Sequence, residues 1–474
     1  MSVEKKPNNS LGFLPQDVIF ESFTYPFFDL NYSANHRLVA QAFLETPPVS
    51  SVTGRKGLYV HIPFCDTICS FCPFVKSVGN DERISAYLNA LTAEASAISQ
   101  TALVKSWNFN SIYFGGGTPS VLSPQQAVSL IRHLREIFSI SQTPEITFEV
   151  EAKSASTELL YALSDAGVSR ISFGVQTLSQ KLRDQVNLTA SLEQIESVIA
   201  TGKKLFSEVN IDMIAGFPGQ SIEDAIEDAK NACTLGVSSI AIYPFDYVVA
   251  QPKFLDRIRF GEIPPAPAGP ERWELFHSAK SEIKKSYRQF SMYSFGEENT
   301  PGCEYMFQTV YGGYDDECIG LGVGAYSMIK GLAYHNIQSE RDYIAAINSQ
   351  RLPIERCSPG HAYEKEFVYF PKRLTAKLSE AERLGIQESI LPKVEALQIE
   401  GLILVNGDQI SLTPAGEMQY AQIMVGFLPD HHRRLYQRAC DRLCSDLGWG
   451  FEGASNSEAA KIRGFAAKNA LRRT

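Results

Sequence analysis

The stretch GLYVHIPFCDTICSFCPF, residues 57–74, is the most informative part of the chain. GLYVHI (57–62) is an apolar run rich in aromatic and β-branched residues, and it predicts a strand. The strand leads straight into a loop carrying Cys65, Cys69 and Cys72 in the spacing C-x3-C-x2-C. Three soft thiolates on one short loop can hold three irons of a four-iron cluster and leave the fourth iron open. Zinc is the competing reading. Structural zinc sites usually supply four ligands in C-x2-C pairs, and the chain has no second pair with that spacing. Three inert packed cysteines are the remaining alternative.

Outward from this loop, short apolar runs alternate with helical patterns. DERISAYLNALTAEASAIS (81–99) sets Ile84, Tyr87, Leu88, Leu91, Ala95 and Ile98 on one helical face. SIYF (111–114) reads as a strand, and a helix follows Pro124, a residue tolerated at a helix start. EITFEV (145–150), RISFGV (170–175), VNIDMIAG (209–216), SSIAIY (238–243) and FSMY (290–293) continue the series of strands. Strands that alternate with helices pair in parallel through crossovers. Six or seven such units predict an α/β fold built as a barrel or partial barrel. Chemistry in such folds sits at the C-terminal ends of the strands.

The rest of the chain frames this unit. Residues 1–55 form a leader with an aromatic stretch, FESFTYPFFDLNY, and 56–293 hold the barrel. Residues 294–362 read as loops and connector, with little periodicity over 294–330. Residues 363–430 read as a winged-helix-like module: helical patterns, then a hairpin with Asn406–Gly407 at its turn. Residues 431–474 are a tail. The 474 residues carry a net charge of −9, which argues against a nucleic-acid partner. Nine mostly scattered cysteines make a poor disulfide framework and suit a reducing compartment. No apolar run is long enough for a membrane helix, so the expected location is the cytoplasm, with transient membrane contact allowed for a lipophilic substrate.

The cysteine loop after a first β/α strand resembles the radical S-adenosylmethionine superfamily. YVHIPFC, GGGTP (115–119), RISFGVQ (170–176), NIDMIAGFPGQ (210–220), GLGVGAYSMI (320–329) and the C-terminal EGLI and ISLTPAG make it similar to the oxygen-independent coproporphyrinogen dehydrogenase family. The resemblance implies a partial (β/α)6 barrel. It implies a [4Fe-4S] cluster on Cys65, Cys69 and Cys72 and S-adenosylmethionine, with two molecules of it expected here. One of these is cleaved to a 5′-deoxyadenosyl radical, with electrons from a flavodoxin- or ferredoxin-type donor. Carried over residue by residue, Gly116, Gly117 and Thr118 contact the cofactor. Tyr59 points toward it, and Phe71 packs near its adenine. Glu151, Gln176 and Asp212 reach it from strand ends, and Asp246 and Tyr326 align with contacting positions while bearing different side chains. Asp212, inside an apolar strand, needs a partner or a ligand to offset desolvation. His61 reads as structural in preference to proton handling.

Three departures bear on function. The family's decarboxylating enzyme has a further cysteine two positions after the third, where this chain has Phe74. An arginine that helps hold the cofactor carboxylate is replaced by Leu188, leaving Arg183 or Lys153 as substitutes. EAKSAS (151–156) departs from the usual Glu-x-Asn/Asp-Pro. These departures favour a class C radical methyltransferase acting on an sp2 carbon of a small aromatic or quinone substrate, menaquinone first. The leader aromatics and Tyr305, Phe307, Tyr311 and Tyr314 would stack on it. The alternatives are a coproporphyrinogen dehydrogenase or other tetrapyrrole-acting radical enzyme, and a heme chaperone using His431 and His432.

Overall fold

The computed structural model describes residues 36–45 and 54–434, apart from 248–249, 268, 330 and 359–362. The leader aromatics Phe23, Tyr25, Phe27 and Phe28 and the tail beyond 434 lie outside the described residues.

Six strands, β1 (Lys56–Ile62), β2 (Phe109–Gly116), β3 (Ile140–Val150), β4 (Arg170–Gln176), β5 (Glu208–Ala215) and β6 (Ser239–Pro244), pair in sequence order, all parallel. Helices fill every crossover, at Asp81–Ser99, Pro124–Ile137, Thr157–Asp165, Leu192–Leu205 and Ile222–Thr234. The Asp81–Ser99 helix starts where Asn80 accepts from the Arg83 amide, and it buries Ile84, Tyr87, Leu91, Ala95 and Ile98 as its spacing predicts. The next helix begins at Pro124 inside a Ser123–Gln126 capping box. This is the partial (β/α)6 barrel that the strand series predicts.

The strands alternate in a way that sets the interior. In β3, Ile146, Phe148 and Val150 are buried in the apolar core, whereas Glu145, Thr147 and Glu149 share the opposite face. The parallel register places Thr147 beside Arg170, Glu149 beside Ser172, Arg170 beside Glu208, Ser172 beside Asn210 and Gly174 beside Asp212. The concave face is therefore polar and the convex face, under the helices, apolar.

Six further strands extend the sheet: β7 (Arg288–Gln289), β8 (Ser294–Gly296), β9 (Glu317–Leu321), β10 (Tyr326–Ile329), β11 (Leu332–Asn336) and β12 (Ile354–Ser358). The order is β12-β11-β10-β9-β1-β2-β3-β4-β5-β6-β8-β7. Two readings change here. FSMY (290–293) is not a strand but the turn between β7 and β8, with Met292 and Tyr293 buried in the apolar core and the Met292 amide donating to the Lys372 carbonyl at 2.8 Å. The stretch 294–330 is more ordered than its lack of period suggests. β9 joins β1 in parallel, β10 turns back antiparallel, and Tyr305–Val310 forms a π-helical turn against the start of β1. A Cβ on Gly57 would lie 2.8 Å from the Tyr305 ring, so a glycine is what lets the turn pack there.

The C-terminal region pairs Thr375–Lys377 with the hairpin Ile403–Asn406/Gln409–Leu412. The hairpin turn is Gly407–Asp408, one residue later than expected, with Gly407 at φ +60°. Lys280 of the barrel side joins Glu417 of this region at 2.5 Å. No helix among the described residues is long and apolar enough to cross a membrane.

Candidate active site at the C-terminal end of the barrel

The cysteine loop leaves β1 at this end and is tied down along its length. The Ser77 amide donates to the Pro63 carbonyl at 2.7 Å, Ser70 Oγ to the Val186 carbonyl at 3.1 Å, and Gln251 Nε2 to the Cys72 carbonyl at 3.3 Å. Thr118 Oγ1 donates to Cys65 Sγ at 3.4 Å. Burial pushes the Cys65 thiol up, and burial with Cys72 and Glu151 close by pushes Cys69 up to about 12. Such thiols stay protonated on their own, and binding metal reverses that balance. Among the described residues no three His, Cys, Asp or Glu side chains converge where a single ion would sit. Cys65, Cys69 and Cys72 are free thiols on one short loop, the three soft donors that a four-iron cluster with one open iron takes, so the donor set fits a cluster.

The glycine-rich turn packs directly on this loop. The Gly117 amide donates to the Ile62 carbonyl and the Thr118 amide to the Phe64 carbonyl, each at 2.8 Å. These two amides hold the loop and are not left for a ligand. A Cβ on Gly117 would lie 3.0 Å from Cys65 Sγ, so only glycine admits the cysteine so closely. Gly116 sits at φ +120°, and a Cβ there would meet the His61 ring at 2.7 Å. His61 is locked between Tyr59 Oη at 3.1 Å and the Val75 carbonyl at 2.9 Å. Burial lowers its pKa to about 4, so it is neutral and braces the loop.

Glu149, which the reading of the sequence passed over in favour of Glu151, occupies the centre. It accepts from Tyr113 Oη at 2.7 Å and from the Gly116 amide at 3.2 Å. Burial pushes its carboxyl up to about 7, with Tyr113 opposing the shift. The period-two alternation of EITFEV carried the signal, since it puts Glu145, Thr147 and Glu149 on the polar face. Glu151 lies just past β3 on a turn, half-buried, with its amide on Ser120 Oγ at 3.0 Å. Asp212 faces the interior, accepting from Ser172 Oγ at 2.7 Å and Asn210 Nδ2 at 3.2 Å, and burial raises its pKa. Gln176, at φ +66° beyond a register shift, folds its amide back over Gly174, the residue paired with Asp212.

Phe71 lies in an apolar pocket with Phe217, Phe245 and Phe254, and Leu188 packs on the same cluster. Tyr59 stacks on Tyr113 and Tyr305, with Tyr326 packed against the same group. Asp246 follows β6, half-buried. Deeper in the barrel, Arg170, Asn210, Asp212, Tyr243, Phe307 and Tyr311 line a cavity of about 20 Å³, the room of a single water. This cavity is too small for a substrate larger than a few atoms.

A partial β/α barrel with a three-cysteine loop on its first strand is the architecture of an enzyme that starts radicals at an iron–sulfur cluster. Residues 59–232 match the radical SAM superfamily. A heme chaperone of Lactococcus lactis is 31% identical over 315 residues, 65% of this chain and 79% of that protein. An oxygen-independent coproporphyrinogen III oxidase of Pseudomonas aeruginosa is 25% identical over 413 residues, 81% of this chain and 88% of that one. The solved structure of Escherichia coli coproporphyrinogen III oxidase, a radical SAM enzyme, shares the fold with a TM-score of 0.72 at 22% identity, over 85% of this chain and 96% of that one.

The chain belongs to the radical S-adenosylmethionine superfamily, in its coproporphyrinogen oxidase-like family. Its cofactors are a [4Fe-4S] cluster and S-adenosylmethionine. The expectation of a class C methyltransferase acting on a quinone is overturned, because these relatives are a heme chaperone and coproporphyrinogen oxidases. That expectation leaned on three local departures, Phe74, Leu188 and residues 151–156, against similarity that runs over 315 residues and more.

Proposed function

We propose that this protein is a radical enzyme acting on a tetrapyrrole macrocycle. The observation that carries the reading is similarity over most of the length of relatives named for heme and coproporphyrinogen, 79% of one and 88% of the other. The cluster and S-adenosylmethionine, when bound, supply a carbon radical that takes a hydrogen atom from the substrate. A low-potential electron donor is the implied partner.

The chain's own residues support a flat substrate at the mouth. The cavity beside Asp212 has room for one water, so a macrocycle would rest at the barrel mouth and not in that cavity. Phe74 is 63% exposed on the cluster loop and offers an apolar ring face to such a substrate. Glu149 and Tyr113 hold the glycine turn, and His61 holds it from the other side. Cys65, Cys69 and Cys72 would bind the cluster.

A second reading is carriage of heme without turnover, favoured by the 31% identity to a heme chaperone and by Phe74 in place of the decarboxylating enzyme's further cysteine. The test is anaerobic incubation of the cluster-loaded protein with S-adenosylmethionine, dithionite and either heme or coproporphyrinogen III. Release of 5′-deoxyadenosine that depends on the tetrapyrrole, with a changed tetrapyrrole mass, supports the enzyme. Tight heme binding with neither product supports carriage.

A further inference from the structure

We propose that Lys153 is the cation that holds the carboxylate of S-adenosylmethionine at the cluster in this chain. The inference rests on the cofactor assignment and not on the tetrapyrrole reading. A carboxylate taken from water needs a charged or strong donor partner.

The other nearby cations have most of their donors engaged, Arg183 keeping only a buried Nε without a partner. Leu188 brings only apolar surface, against the Phe71 pocket. Arg183 is buried, with Nη1 donating to the Val175 and Thr177 carbonyls at 3.1 and 2.8 Å and Nη2 to the Ala190 carbonyl at 2.6 Å. Lys76 turns back on its own loop, onto the carbonyls of Cys72 at 2.5 Å and Phe74 at 3.0 Å.

Lys153 differs in each respect. It is exposed, at the tip of the turn beyond β3. That turn is rigid. Ser154 Oγ lies 2.6 Å from Ser120 Oγ, the Glu151 amide donates to Ser120 at 3.0 Å, and the Ala155 amide closes on the Glu151 carbonyl at 3.0 Å. Ser120 follows GGGTP directly, so the lysine is bolted to the segment beside the glycine turn. From there Nζ donates to Thr67 Oγ1 at 2.8 Å, between Cys65 and Cys69. An ammonium group carries three donors, and Thr67 uses one. The cation thus spans from the glycine-turn side to the cluster loop, the gap that a ligand touching both must occupy.

The test is equilibrium binding to the cluster-loaded protein of two ligands, S-adenosylmethionine and its decarboxylated analogue. Lys153→Met should weaken S-adenosylmethionine roughly 10- to 100-fold and leave the decarboxylated analogue unchanged. Lys153→Arg should keep most of the affinity. Thr67→Val, which removes the resting contact alone, should leave both ligands bound as in the parent. Equal weakening of both ligands, no weakening of either, or loss of iron in Lys153→Met would each overturn the proposal, leaving Lys153 a loop brace or a bystander. All of these binding outcomes hold whether or not a tetrapyrrole is the substrate, so failure here and failure of the tetrapyrrole reading are separable.

Discussion

Glu149→Gln isolates the group at the centre of the site. The carboxyl lies 2.7 Å from Tyr113 Oη and 3.2 Å from the Gly116 amide, and it ionises near 7 in the fold against an ordinary 4.5. Glutamine keeps the shape and one acceptor oxygen but turns the other oxygen into a donor. That donor faces either the Tyr113 hydroxyl or the Gly116 amide, leaving one buried donor unsatisfied at a cost of about 1–3 kcal/mol. The second effect depends on pH. Because the folded pKa is raised, the carboxyl favours the fold fully below its unfolded value, and this support is lost as pH rises through 7. The whole swing is about 3 kcal/mol. Glu149→Gln should therefore be less stable than the parent at about pH 5 and equal or more stable at about pH 8.5. Urea unfolding of the cluster-free protein across that range measures the difference directly. A stability gap that stays constant with pH would refute both the buried ionisation and its assignment to Glu149.

Three further outcomes follow from the geometry. Cys65→Ala removes one of three thiols on the loop, so the variant should lose the iron–sulfur absorbance and all cleavage of S-adenosylmethionine; an intact cluster would contradict the ligand assignment. Gly116→Ala forces a side chain into φ +120° and against His61 at 2.7 Å. It should lower stability by about 1–3 kcal/mol from backbone strain alone and weaken cofactor binding, checked by thermal unfolding and equilibrium dialysis. Lys280→Met removes the buried ammonium that meets Glu417 at 2.5 Å and leaves Glu417 with Lys284 at 3.5 Å and Gln289 at 3.3 Å. It should cost about 1.5–3 kcal/mol, with part regained in the double variant carrying Glu417→Gln, as read by thermal unfolding.

The cluster loop and the six parallel strands were legible because each rests on local signals. The cysteine spacing is contiguous, and a buried parallel strand is a short apolar run. What escaped the sequence depends on chain segments far apart. FSMY looks like a strand because it is apolar, yet Met292 and Tyr293 are buried in a turn whose Met292 amide finds its acceptor in the Lys372 carbonyl, 80 residues away in the chain. The strand β9 escaped because Gly320 breaks its apolar period, and β10 because it is only four residues long in a glycine-rich stretch. Glu149 was missed for a different reason. A strand-end carboxylate was sought, and Glu151 lies nearer the end, but the side chain that reaches the glycine turn is set by which face of β3 it occupies. The alternation Glu145, Thr147, Glu149 was readable, but only once the concave face is known to be the polar one. The function was misjudged by weighing Phe74, Leu188 and residues 151–156; such positions report on single loops, whereas substrate class is built by the whole mouth of the barrel.

The most direct test of the central claim is the 5′-deoxyadenosine released anaerobically by the reconstituted protein with S-adenosylmethionine and a reductant, measured with and without a tetrapyrrole. The account predicts that heme or coproporphyrinogen III raises the yield and is itself changed in mass, and that Cys65→Ala abolishes both. Cleavage indifferent to any tetrapyrrole, with the macrocycle neither bound nor altered, would contradict it.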